Sequence, residues 1–200
     1  MTETDARTRL KAALERSGAV SSDFDLNPDV TLPPGRKLSA AGVLIALREQ
    51  EGETQVILTK RSSALKHHPG QIAFPGGKVD ADDRDATAAA LREAEEEIGL
   101  PRDIVEVMGA LPTHETVTGF RVTPVLGWIR QDFDLRPEAG EVDEVFCVPL
   151  SHVTDLAQFS IQSRRWRGQR RHYYTVPWGP YYIWGATARM LRALAERVTA

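Results

Sequence analysis

Residues 91–100 read LREAEEEIGL, with one arginine and four glutamates in six consecutive positions before Gly99 and Leu100. The run ends a longer segment, about Ala86 to Ile98, in which Ala, Leu, Arg and Glu dominate and Gly99 stands where a helix would stop, so a helix is expected there. Positions i, i+3 and i+4 share a helix face, and Glu93, Glu96 and Glu97 therefore crowd three carboxylates onto one side. Like charges at that spacing repel, and acidic groups near a helix carboxyl end oppose its dipole. A solvated face is the ordinary reading of such a run. The alternative is a cation platform, because hard divalent ions take oxygen ligands and suit a compact carboxylate set.

The upstream sequence favours the platform. FPGGKVDADDRD precedes the helix, and Gly76 and Gly77 let the backbone turn sharply and approach a metal or a phosphate closely. From here the sequence resembles the Nudix hydrolases, whose box reads G-x5-E-x7-R-E-U-x-E-E-x-G-U with U aliphatic. Gly77, Arg92, Glu93, Glu96, Glu97, Gly99 and Leu100 fall on it. The acidic position between glycine and arginine is best filled by Asp83, an aspartate. The spacer to Arg92 is then one residue longer than the family pattern, and Ala94 stands where a bulkier aliphatic residue is usual.

ILTKRSSALKHHPGQIAFPGG, residues 57–77, is similar to the signature of the coenzyme A pyrophosphatase branch of that family. Leu58, Thr59, Arg61, Ser62, Gly70, Phe74, Pro75, Gly76 and Gly77 match it, whereas Ile57 and Lys66 replace a leucine and an arginine. The lysine keeps the charge but loses the planar fork.

The resemblance implies an α/β fold of the Nudix type, a mixed β-sheet sandwiched between α-helices, with an added N-terminal helix. It implies hydrolysis of coenzyme A, or of a derivative, to 3',5'-ADP and 4'-phosphopantetheine with Mg2+ or Mn2+. Glu93, Glu96, Glu97 and the Gly77 carbonyl would hold metal. Arg92 would orient a glutamate, and Arg61, Lys66 and Gly76 would bind substrate phosphates. The general base is Glu93 in some members and a carboxylate on a later loop in others; here the later candidates are Glu141 and Glu144, with Glu141 preferred. Hydrolysis of ADP-ribose, of another nucleoside diphosphate derivative or of RNA 5' ends is an alternative, and a non-catalytic nucleotide sensor is one of another class. The sensor reading would gain from loss of Glu93, Glu96 or Glu97, and all three are present.

The rest of the chain sets bounds. Two hundred residues with 42% hydrophobic and 26% charged residues fit one globular core. A net charge of −3 gives no overall attraction to nucleic acid or anionic membrane. The single Cys147, in the apolar run VFCVPL, cannot form an internal disulfide and reads as a packed thiol. No apolar run reaches the roughly 20 residues of a membrane span, and MTETDARTRL lacks the apolar stretch of a signal peptide, so a cytoplasmic location is expected. A homodimer is compatible with all this.

Ala6, Leu10, Ala13 and Leu14 make a stripe on a helix over 4–17. A Ser, Asp and Pro-rich connector containing Pro33-Pro34-Gly35 follows, so residues 1–36 read as helix and linker and 37–200 as the main domain. AGVLIALRE and QVILTKR read as a strand pair across QEGET, with further strands near 105–110, 121–129 and 144–148. SIQSRRWRGQRRHYYTVPW reads as a hairpin turning at Gly168-Gln169, and residues 185–198 as a closing helix. The hairpin is the one concentrated basic and aromatic patch, and its arginines could meet the 3'-phosphate of coenzyme A. His67 and His68 read as loop residues without a metal-ligand set, His114 has a somewhat better claim to a pocket, and none of the histidines joins the site. Trp128, Trp166, Trp178 and Trp184 could stack on adenine, although strand aromatics are usually core.

Overall fold

The run AGVLIALRE is apolar at successive positions rather than alternate ones, which suits a strand covered on both faces. A computed structural model describes residues 3–30, 35–166 and 168–200, and in it this run lies at the centre of a nine-stranded mixed sheet. The elements are α1 (Glu3–Glu15), β1 (Ser21–Ser22), β2 (Ser39–Gln50), β3 (Glu53–Arg61), β4 (Ile72–Ala73), β5 (Gly76–Lys78), α2 (Ala86–Ile98), β6 (Val105–Ala110), β7 (His114–Glu115), β8 (Phe120–Ile129), β9 (Val142–Pro149), α3 (Leu150–Val153), β10 (Ser160–Trp166), β11 (Gln169–Thr175) and α4 (Gly185–Thr199). The main path runs β1-β7-β8-β2-β3-β4, with β5 on β2, β6 on β8 and β9 on β3.

The strand period of two assigns the faces. Leu44 and Ala46 of β2, Ile57 of β3 and Val125 of β8 pack with Ala90, Ala94 and Ile98 of α2. Their neighbours Ile45, Leu47, Val56, Leu58 and Leu126 turn the other way, onto Ala6 and Leu10 of α1 and Ala188, Leu191 and Leu194 of α4. The mixed sheet between helices, with its N-terminal helix, is therefore as expected.

β2 and β3 pair antiparallel across the expected turn, while β2 and β8 run parallel from Ser39↔Phe120 to Leu47↔Trp128. Hairpin β10–β11 forms a separate two-stranded sheet. The expected connector differs in one respect: Ser21–Ser22 pairs with His114–Glu115 as a parallel bridge. Two residues carry no strand periodicity, so only the tertiary partner creates that strand. Pro33 and Pro34 lie outside the described residues. No helix among the described residues is long and apolar enough to cross a membrane.

Candidate active site

Helix α2 is fixed at both ends. Asp85 caps it by accepting from the Ala88 amide at 2.9 Å, and Gly99 leaves it in the left-handed region at φ 70°. Its inner face carries Ala90, Ala94 and Ile98 against the sheet. The start of the helix sits close to β2, where Gly42 has no room for a side chain: a Cβ there would lie 1.9 Å from the Ala86 carbonyl oxygen.

The three glutamates of the face meet different surroundings. Glu97 is buried, and its Oε2 accepts the Gly76 amide at 3.1 Å while Oε1 lies 3.8 Å from Arg61 Nη1. Burial pushes its carboxyl up to about 7; the Gly76 amide and Arg61 oppose the shift, and Glu93 and Glu141 add to it. Glu93 lies under β5 so closely that a Cβ on Gly77 would stand 2.2 Å from its Oε1. Burial also raises the Glu93 carboxyl, against the pull of Arg92, with Glu96 and Glu141 adding to the rise. Glu96 is the exposed member.

Arg92 ties the face together. Its Nη1 donates to Glu93 Oε1 and to Glu96 Oε2, each at 3.0 Å. Nε and Nη2 grip Asp83 Oδ1 and Oδ2 at 3.1 and 2.8 Å, a two-pronged guanidinium–carboxylate contact, and Nη2 also reaches the Lys78 carbonyl. These carboxylates hold Arg92 firmly charged, and Arg92 in turn draws the Asp83 carboxyl below its usual range. Asp83 thus closes the lengthened loop onto the helix. Among the described residues no three acidic, His or Cys side chains converge as a ready-made metal cage, since the three glutamates are engaged by Arg92, Gly76 and Arg61. The donor set nonetheless fits a hard cation: it is all oxygen, and Glu97 is a buried carboxyl short of positive charge.

The later acids separate. Glu141, exposed in the loop before β9, is felt electrostatically by Glu93 and Glu97, and its carbonyl accepts the Ser62 amide at 2.8 Å. Glu144 is turned to Tyr181, whose hydroxyl donates to it at 2.5 Å.

A cavity of about 390 Å³ opens beside Gly76 and Arg61. Ile72, Phe74, Val122 and Met190 give it an apolar floor, and Arg164, Arg171 and Trp184 line it from the hairpin side. Lys66 is exposed on the preceding loop and does not line it. His68 does, whereas His114 is fully buried between Ser21 Oγ at 2.9 Å and Asp23 Oδ1 at 3.1 Å. Of the tryptophans, Trp128 is core and Trp184 faces the cavity, with Arg164 over one ring face at 4.2 Å and Tyr173 edge-on at 5.1 Å. Cys147 is a partly buried thiol packed beside the α2 cluster.

Asn27 and Asp23, which also line the cavity, carried no signal in the sequence. Asn27 lies within a polar connector, and its partner is the His172 backbone 145 residues away.

The family model of the NUDIX domain matches residues 38–169. The chain belongs to the Nudix hydrolase family. This Nudix chain is 44% identical over 160 residues to the uncharacterized Nudix hydrolase NudL of Enterobacter sp. (strain 638), covering 79% of the chain and 82% of that protein. It is 43% identical to the NudL of Escherichia coli (strain K12), over the same shares. Among solved structures it resembles a MutT/nudix family protein from Enterococcus faecalis, with a TM-score of 0.53 at 16% identity, covering 100% of the chain and 75% of that one, a likeness of fold alone. Nudix hydrolases act on pyrophosphate bonds and generally use divalent metal ions, and the carboxylate helix of this Nudix chain lies within the matched residues.

Proposed function

We propose that this protein hydrolyses the diphosphate linkage of coenzyme A or a derivative of it, with Mg2+ or Mn2+, releasing 3',5'-ADP and 4'-phosphopantetheine. The observation that carries the reading is the cavity itself. Arg61, Phe74 and Gly76, which belong to the segment similar to the coenzyme A branch signature, line the pocket, and two of them, Arg61 and Gly76, also contact the buried Glu97.

In this reading Glu93, Glu96, Glu97 and the Gly77 carbonyl hold the metal, which when bound supplies charge neutralisation on the diphosphate and acidifies a water. Arg92 keeps Glu93 and Glu96 in place from Asp83, so it is a positioning residue. Arg61 and the Gly76 backbone meet the diphosphate, and Lys66 adds positive charge from outside the cavity. Glu93 or Glu141 takes the proton of the attacking water. Water oxygen bonds to one phosphorus as the bond from that phosphorus to the bridging oxygen breaks, and the bridging oxygen leaves on the other phosphate. Glu141 is the stronger later-loop candidate because Glu144 is engaged by Tyr181.

The test is product analysis by chromatography and mass spectrometry after incubation with Mg2+ or Mn2+ and, separately, coenzyme A, ADP-ribose and triphosphorylated RNA. Adenosine bisphosphate and phosphopantetheine from coenzyme A alone are the expected result. Cleavage of another substrate instead discards the coenzyme A assignment and keeps the hydrolase chemistry.

A further inference from the structure

Hairpin β10–β11 places like charges against each other. Its register sets Arg164 opposite Arg171 and Arg165 opposite Arg170. Directly opposed like charges destabilise a strand pair, yet the first of these pairs also lines the cavity that holds Gly76 and Arg61. The guanidinium of the exposed Arg164 is directed by the Trp184 ring, over which it lies at 4.2 Å, and Trp184 in turn meets the edge of Tyr173. Arg171 lies over the Phe24 ring at 5.8 Å. On the same wall helix α4 begins at Gly185, and its N-cap Trp184 provides no side-chain capping bond.

We infer that Arg164 and Arg171 form a binding site for a phosphomonoester on the substrate, remote from the diphosphate that is cleaved. Two guanidinium groups facing one cavity match the charge and the several acceptor oxygens of a phosphate dianion better than they match a neutral ribose. Because Trp184 already has Arg164 on one face, it serves to orient that arginine rather than to stack on a base. A substrate carrying a second phosphate would thus be held at both ends of the cavity, with the diphosphate near Gly76 and the phosphomonoester at the hairpin. This assignment rests on the coenzyme A reading, in which the second group is the 3'-phosphate, and it can be measured apart from that reading.

Calorimetric titration of the full chain with adenosine 3',5'-bisphosphate and with adenosine 5'-monophosphate reads the site directly. The wild-type protein is expected to bind the bisphosphate at least about tenfold more tightly. The Arg164→Gln, Arg171→Gln double variant is expected to lose that preference, and Arg164→Lys to recover part of it. Arg165→Gln with Arg170→Gln, the other opposed pair of the hairpin, should leave the preference intact and so controls for hairpin integrity and net charge. Equal affinity in the wild type, or a preference that survives loss of Arg164 and Arg171, overturns the site. Cleavage of coenzyme A without any such preference removes the arginine site and retains the pyrophosphatase reading. A preference abolished by the double variant in a protein that leaves coenzyme A intact does the reverse.

Discussion

Glu97 places a carboxyl where little water reaches it, with one backbone amide and a distant guanidinium as its support. Its folded-state carboxyl, near 7, lies above the ordinary value of 4.5. Sign follows from linkage: between those two values the folded state binds the proton more tightly than the unfolded chain, so stability falls as pH rises through that window. In protein stripped of divalent metal, melting curves from pH 4.5 to 7.5 should show this decline, worth up to roughly 3 kcal/mol, and Glu97→Gln should flatten it. Excess Mg2+ should restore stability at the alkaline end of the wild-type series. The same Glu97→Gln substitution should lower turnover by several orders of magnitude while the far-ultraviolet circular dichroism stays unchanged. Undiminished turnover would remove Glu97 from the metal platform.

At the scale of elements, two glycines mark the closest approaches of the site and answer to different measurements. Gly42 brings β2 against the first turn of α2, and Gly42→Ala would drive a methyl into the Ala86 carbonyl at 1.9 Å. The backbone must shift, and a loss of about 1–3 kcal/mol or more in denaturant unfolding is expected. Gly77 brings β5 against Glu93, and a Cβ there would strike a carboxylate oxygen at 2.2 Å. A side chain can move where backbone cannot, so Gly77→Ala should cost little stability. It should cost activity by roughly a hundredfold, because Glu93 is displaced. Equal effects of the two substitutions on stability would contradict this division.

Across the whole molecule the segment between α1 and β2 ties three regions together. Ser21 and Asp23 clasp His114 of β7, Asp25 accepts Arg189 of α4 at 2.8 Å, and Asn27 exchanges two bonds of 2.9 Å with the His172 backbone in β11. The hairpin wall of the cavity is therefore positioned in part from the amino-terminal side. Asn27→Ala leaves a backbone amide and carbonyl of β11 without this partner, and a loss of about 1–3 kcal/mol is expected. Steady-state kinetics should show KM rising severalfold with kcat nearly unchanged, since Asn27 lines the cavity and its bonds go to β11 rather than to the carboxylate helix. A fall in kcat at constant KM would place the effect at the chemistry instead.

The helix of carboxylates, its end at Gly99 and the doubly covered central strands were legible in the sequence, because each is written in local spacing: 3.6-residue periodicity, a left-handed stop, unbroken apolar runs. The sharp turn expected at Gly76 and Gly77 is instead strand β5, paired with β2 through Gly42↔Gly77. The basic hairpin was also visible, but not which of its arginines face the cavity; that depends on the register Arg164↔Arg171 and on where α4 returns. Asp83 shows the same limit, since a spacer one residue too long says nothing until Arg92 is seen to grip it. Lys66 stands in for an arginine of the branch signature, yet its loop leaves it exposed. The sequence alone determined the longer helices and strands and the crowding of carboxylates on one helix face, both set by neighbours a few residues away. Only the tertiary structure decided which charges are buried and which residues share the cavity, because both depend on contacts between segments distant in the chain, such as Asn27 with His172.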